Sequence, residues 1–245
     1  MFKAVIDAEK LKEALEAVST LVDEAKFRLT PEQLSVRAVD PANVAMVSLE
    51  LDREAFDSFQ ASEGELGIDL TKLTDILQMA DKTDKIELEV DEEAHKLAVR
   101  MSGLSYTVSL LDPSSIRKEP KVPNLELPAR VVMRGEELRR AIKASEKVGE
   151  YMSMSVTQDA FILEAEGDTD KVRLEIPRDQ LIELHPGEAR SLFSLDYLGD
   201  ISKVLAKTDE VELEIGKDYP IKINFTIAEG NGRVGYMLAP RVETD

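Results

Sequence analysis

The 245-residue chain has no cysteine, which excludes disulfides, thiolate metal sites and thiol nucleophiles. That absence fits a reducing compartment, and a cytoplasmic location is expected. Apolar runs of 18 residues are missing and Met1 to Asp7 has none of the apolar character of a signal peptide, so no membrane partner is expected. Histidine is scarce. His95 is expected in a hairpin turn and His185 in a loop, with no helical histidine spacing to ligate a metal. Asp91-Glu92-Glu93 and the pair Asp168 and Asp170 read as acidic turns rather than ion sites. Gly64, Gly67 and the segment Gly230 to Gly235 are followed by no Gly-Lys-Ser/Thr, so a phosphate loop is excluded and the last reads as a hairpin turn. No nucleophile, base and orienting group can be assembled. The chain is therefore expected to be no enzyme, with no catalytic residue, no metal and no cofactor.

Positive charge is also in deficit: 31 basic against 49 acidic residues give a formal charge of −18. Such a body repels phosphate unless its cations are gathered on one surface. Where they sit decides the matter.

The chain repeats itself. Leu11-Lys12-Glu13-Ala14-Leu15 aligns with Leu138-Arg139-Arg140-Ala141-Ile142 at a spacing of 127, which also matches Leu34 with Phe161, Ala38 with Ala165, Val47 with Leu174 and Leu49 with Ile176. At a spacing of 125, Leu70 meets Leu195, Asp75-Ile76 meets Asp200-Ile201, and Lys82-Thr83-Asp84 meets Lys207-Thr208-Asp209. An offset held through helix, turn and strand marks two copies of one unit. Leu11, Ala14, Leu15, Val18 and Val22 recur at helical spacing, as do Leu138, Ala141, Ile142, Ser145 and Val148 on a helix expected from Gly135 to Gly149. Two shorter helices are expected over 70–80 and 195–206, capped by Asp69 and Ser194. Ile86 to Val90, Val211 to Ile215 and Ile221 to Phe225 alternate apolar and polar residues, as strands with one covered face do. Two helices per copy supply that cover, giving an α+β fold of helices on antiparallel sheet. Four prolines between the copies, Pro113, Pro120, Pro123 and Pro128, favour an extended strap. The boundaries expected are 1–110 for the first domain, 111–127 for the strap and 128–245 for the second domain.

Cations fall on all four helical patterns. Arg139, Lys143 and Lys147 stand at i, i+4 and i+8 opposite the apolar face, with Arg140 beside them; Lys10, Lys12, Lys72 and Lys203 lie on the other helices, and Lys82 and Lys207 at matched helix ends. A positive surface on an anionic body is expected to meet phosphate without reading sequence, and to bind weakly and salt-dependently.

Arg37-Ala-Val-Asp-Pro-Ala-Asn-Val44, Leu110-Leu-Asp-Pro-Ser-Ser-Ile-Arg-Lys-Glu-Pro120, Ser191-Leu-Phe-Ser-Leu-Asp-Tyr-Leu198 and Tyr236-Met-Leu-Ala-Pro-Arg-Val242 carry a resemblance to the archaeal and eukaryotic sliding clamps, the proliferating cell nuclear antigen (PCNA) family, over the full length. The resemblance implies a duplicated clamp fold, and a homotrimeric ring around double-stranded DNA whose ten cations above face the duplex. It implies a processivity factor that tethers DNA polymerase, flap endonuclease and DNA ligase through PIP-box motifs, and that is loaded by the ATP-dependent replication factor C. It places partner binding at Val39, Val44, Met46, Pro120, Val122, Pro220, Met237, Ala239 and Pro240. Met237 stands where many relatives have an aromatic. It places the subunit interface on two strands, one with Leu104, Tyr106, Val108 and Leu110, the other with Lys171, Arg173, Leu174 and Ile176. The alternative reading is a protein-interaction scaffold that never encircles DNA.

Overall fold

The computed structural model describes residues 1–119 and 121–242. The chain divides into two units, Met1–Pro120 with Thr226–Val234, and Lys121–Phe225 with Gly235–Asp245.

The first unit runs β1 (Phe2–Asp7), α1 (Ala8–Ser19), β2 (Glu24–Leu29), β3 (Gln33–Val39), β4 (Ala45–Asp52), a 3-10 turn, β5 (Ser58–Ala61), β6 (Gly64–Asp69), α2 (Leu70–Leu77), β7 (Lys85–Asp91), β8 (Lys96–Met101) and β9 (Leu104–Ser109). The second repeats the order: β10 (Ala129–Arg134), α3 (Gly135–Ser145), β11 (Tyr151–Val156), β12 (Ala160–Glu166), β13 (Lys171–Pro177), a 3-10 turn, β14 (Glu183–His185), β15 (Ala189–Ser194), α4 (Leu195–Leu205), β16 (Glu210–Ile215), β17 (Ile221–Ile227) and β18 (Gly232–Leu238). The internal repeat read from sequence is thus a repeat of elements.

Each unit pairs its strands antiparallel. In the first, β5-β1-β7-β8-β9 form one sheet and β4-β3-β2-β6 another run; in the second, β14-β10-β16-β17 and β13-β12-β11-β15 follow the same plan. The first-unit segment 232–234 lies beside β4, where Arg233 pairs with Glu50 at 3.1 Å and with Asp52 at 3.0 Å.

The helices cover the alternating apolar faces. Ala8, Leu11, Ala14, Leu15, Ala17 and Val18 are buried along α1, which packs on α2, β1 and β4, while α3 packs on α4 and β10. Burying one such leucine is worth about 1.5–3 kcal/mol. Where α3 starts, a Cβ at Gly135 would lie 2.4 Å from the Thr208 carbonyl oxygen, so only glycine lets the end of α4 come this close.

Several boundaries differ from expectation. α3 ends at Ser145, α2 at Leu77 and α4 at Leu205, because the last backbone groups are satisfied by short turn bonds such as Ala80 N to Leu77 O (3.1 Å) and Val148 N to Ser145 O (2.9 Å). Asp69 caps α2 by accepting from Lys72 N at 3.0 Å, whereas Ser194 holds the capping position of α4 without a side-chain hydrogen bond. His185 lies in a strand rather than a loop, opposite Arg130 of β10. The turn read at Gly230 begins earlier, with Ala228, Glu229 and Gly230 at positive φ.

Candidate nucleic-acid interface and docking surfaces

The helical cations are not equivalent. In the first unit, the Lys10 side chain is 18% exposed, and its ammonium pairs with Glu229 at 2.7 Å and Asp7 at 3.4 Å. The Glu229 hydrogen bond raises the Lys10 pKa. Lys12 donates to the Ala80 carbonyl at 2.6 Å and so ties α1 to the turn after α2. Lys72 pairs with the capping carboxylate of Asp69 at 3.1 Å, and the exposed Lys82 lies 4.0 Å from Glu9.

In the second unit, Arg139 leans on Glu136 at 3.3 Å and its Nε is buried without a partner. Lys203 pairs with Asp200 at 2.7 Å, a bond that raises its pKa. Lys207 is exposed after α4. Arg140, Lys143 and Lys147 are all exposed and their side chains make no hydrogen bond or ion pair among the described residues. Lys147 lies past the end of α3, not on it as expected. Acids also stand on the helices: Glu136 and Asp200 face Arg139 and Lys203 at i, i+3 spacing, and Glu9 of α1 lies near Lys82 in the turn after α2. Among the ten candidate cations, those whose side chains make no pair are therefore gathered around α3.

Among the strands that end a sheet are β9 and β13. β9 is the outer strand of β5-β1-β7-β8-β9, and β13 that of β13-β12-β11-β15. On β9, Tyr106 and Val108 are half-buried and Leu104 is exposed, with Leu110 half-buried just beyond, while Ser105, Thr107 and Ser109 face out. On β13, Leu174 is half-buried and Ile176 buried; Lys171 and Arg173 are exposed and both pair with Glu164, Arg173 at 2.7 Å. That Arg173 bond holds the Glu164 carboxyl below its usual range.

On the first unit's sheet, Leu34, Val36, Ala45, Val47, Leu49 and Leu51 take the buried face. Val39 and Met46 are directly opposed cross-strand partners on the other face, both half-buried, in a row that continues as Arg37 opposite Ser48 and Ser35 opposite Glu50. Two apolar residues thus interrupt a polar face. Val44 follows in a loop that sequence reasoning did not resolve. There the buried Asp40 carboxylate accepts from Ala42 N (3.0 Å), Val44 N (2.7 Å) and Ala45 N (2.8 Å). Asn43 takes positive φ, and Arg117 donates to Asp40 O at 2.8 Å and to Asn43 Oδ1 at 2.6 Å. Ile116 is buried beside it. The strap's first half is thereby fixed to the loop. Asp40, Asn43 and Arg117 all stood in the motifs quoted above, but nothing local announced their contact across 77 residues.

In the second unit, Val122 is 50% exposed. Met237 lies on the outward face of β18 and is half-buried, like Pro220, Ala239 and Pro240. The neighbouring aromatic, Tyr236, turns inward and is buried beside Phe225, ring centroids 6.1 Å apart. Pro120 lies outside the described residues. Lys222 donates to the Leu125 carbonyl at 2.7 Å and holds the strap's second half. Among the described residues no group of three or more histidine, aspartate or glutamate side chains is arranged to hold a metal ion, and no helix is long and apolar enough to cross a membrane.

Two family models match, the N-terminal domain of proliferating cell nuclear antigen over residues 1–105 and its C-terminal domain over residues 121–241. The chain is 57% identical to the DNA polymerase sliding clamp of Methanococcoides burtonii and 59% to that of Methanosarcina barkeri, each over 245 residues and all of both chains. Among solved structures, A. fulgidus PCNA with the C-terminal region of FEN-1 bound superposes with a TM-score of 0.96 at 37% identity over the full length of both chains. PCNA from Thermococcus kodakaraensis gives 0.91 at 28% identity, covering 98% of this chain and all of that one.

Proposed function

The chain belongs to the proliferating cell nuclear antigen family, and we propose on that footing that it is a DNA sliding clamp: a non-catalytic processivity factor that encircles duplex DNA as a homotrimer and tethers replication and repair enzymes to it. The observation that carries this is that two end strands, β13 and β9, lack the neighbour that their counterparts in the repeat possess. In the first unit β4 has segment 232–234 as its outer neighbour; among the described residues its counterpart in the repeat, β13, has none, and β9, counterpart of β18, is equally open. An open edge is a template for pairing. Setting β9 of one copy beside β13 of the next satisfies both at once, and a head-to-tail contact of this kind closes a ring if its rotation allows. Tyr106 and Val108 then meet the apolar flank of Leu174 and Ile176.

Inside such a ring the uncommitted cations Arg140, Lys143 and Lys147 face phosphate, with Lys72, Lys82, Lys203 and Lys207 as weaker contributors and Lys10, Lys12 and Arg139 chiefly structural. Phosphate contacts of this kind fix position without sequence, and flexible lysines release easily, which suits sliding. Partners dock by apolar anchors at Val39, Val44, Met46, Pro120 and Val122 and at Pro220, Met237, Ala239 and Pro240. DNA polymerase, flap endonuclease and DNA ligase carrying PIP-box motifs are the expected partners, and an ATP-dependent clamp loader opens the ring. The setting is the cytoplasm, at the nucleoid. The direct test is solution mass by light scattering. Three chains per particle are expected, and a monomer at micromolar concentration would refute the ring.

A further inference from the structure

The second unit holds a cleft of about 350 Å³ that the functions above do not use. Its lining includes Arg190, Ser191, Lys217, Asp218, Arg241 and Val242, drawn from the start of β15, the β16–β17 loop and the segment after β18. No lining residue belongs to α3 or α4, so the cleft is not a continuation of the helical cations.

The cleft is built rather than accidental. The buried hydroxyl of Ser191 donates to Gly216 O at 2.9 Å, Asp218 N donates to Arg190 O at 3.2 Å, and Arg241 N donates to Leu192 O at 2.7 Å. Three stretches of backbone are thus locked together, and each brings one cation. The Arg241 guanidinium lies 4.4 Å from the Tyr151 ring centroid and also donates to its hydroxyl. Lys217 pairs with Glu188 at 3.3 Å across the rim. Arg190 is exposed and its guanidinium makes no hydrogen bond or ion pair among the described residues. On a chain of net charge −18, three cations converge here beside Asp218, Glu188 and Glu164, the last already paired with Arg173 and lowered in pKa in part by Arg190, so the cleft is far less negative than the chain as a whole. Tyr219 and Val242 beside them are 53% and 62% exposed.

The cleft is also continuous with proposed docking positions: Tyr219 is followed by Pro220, and Arg241 is preceded by Pro240. We propose that this cleft receives an acidic peptide segment flanking the anchor motif of a partner protein, with Arg190 and Arg241 taking carboxylates in paired hydrogen bonds and Lys217 supplying point charge. This rests on the docking reading above and adds to it the charge preference of the flank.

The test uses the full chain and fluorescent peptides that share one glutamine-and-aromatic anchor motif and carry three glutamates, three glutamines or three lysines at either end. At low salt the glutamate flank, at one end, should bind roughly tenfold tighter than glutamine and lysine weaker than both, with the spread shrinking at high salt. In the double variant Arg190→Ala, Lys217→Ala the glutamate advantage should fall below about threefold, while the glutamine peptide binds as to wild type. Equal binding of all flanks to wild type, or an advantage that survives the double variant, overturns the proposal. So does a double variant that keeps the flank preference and instead loses duplex DNA, which would assign the cleft to phosphate. If no peptide binds at all, the docking reading fails first and this inference falls with it.

Discussion

Met46 and Val39 face each other on the outer side of a sheet whose other outward residues are polar, so their apolar surface has no role in the unit's own core. Buried apolar anchors carry most of the energy at such contacts. Met46→Glu should weaken a PIP-box peptide at least tenfold, read by fluorescence polarisation, with the particle mass unchanged. Arg117→Ala removes two hydrogen bonds that fix the loop at 40–43; it should cost about 1–3 kcal/mol of stability and weaken the same peptide, measured by denaturation and titration together. Normal peptide affinity in the Arg117 variant would mean that loop order is irrelevant to docking. At this scale the sequence was half legible. Alternation marks Val47 and Leu49 as core and so leaves Met46 outside, but Asp40 and Arg117 meet only in the folded chain.

Along α3 the hydrophobic period was legible because one face is buried throughout, and the cations opposite it followed. Which of them are free was not, since the partners of Lys10 and Lys12 come from distant turns at Glu229 and Ala80. The two groups should behave differently. Reversing Arg140, Lys143 and Lys147 to glutamate should leave stability and trimer mass intact, abolish retention on DNA and flatten the salt dependence of any residual binding by roughly 2–3 in the log–log slope. Lys12→Ala should instead lower the thermal midpoint with little effect on that slope. Acid should also act at the α1 end. Lys85, bonded to Asp7 at 2.5 Å, holds the Asp7 carboxyl below the ordinary aspartate value of 3.8. A depressed folded pKa gives stability that is complete above 3.8 and lost as pH falls through the folded value. A denaturation series below pH 4 should show this loss shrinking in Asp7→Asn; an unchanged acid limb would refute it.

The duplication was legible at the scale of the whole chain because a constant offset survives in helices, turns and strands alike. That segment 232–234 belongs to the first unit was not, because Gly232, Val234, Tyr236 and Leu238 alternate like any strand and local pattern does not name a partner. Yet this segment is what makes the open edge at β13 conspicuous. Charge placed at both edges, Val108→Glu with Leu174→Glu, should therefore yield monomers by light scattering, whereas each unit's own core, carried by residues such as Leu11 and Leu138, stays intact by circular dichroism. The central claim is encirclement, and retention on DNA tests it most directly. Chains loaded onto nicked circular DNA should remain for many times longer than on linear DNA with open ends, and cutting the circle should release them at once. Equal residence on circle and open line would contradict encirclement and leave a scaffold that binds partners without a ring around the duplex.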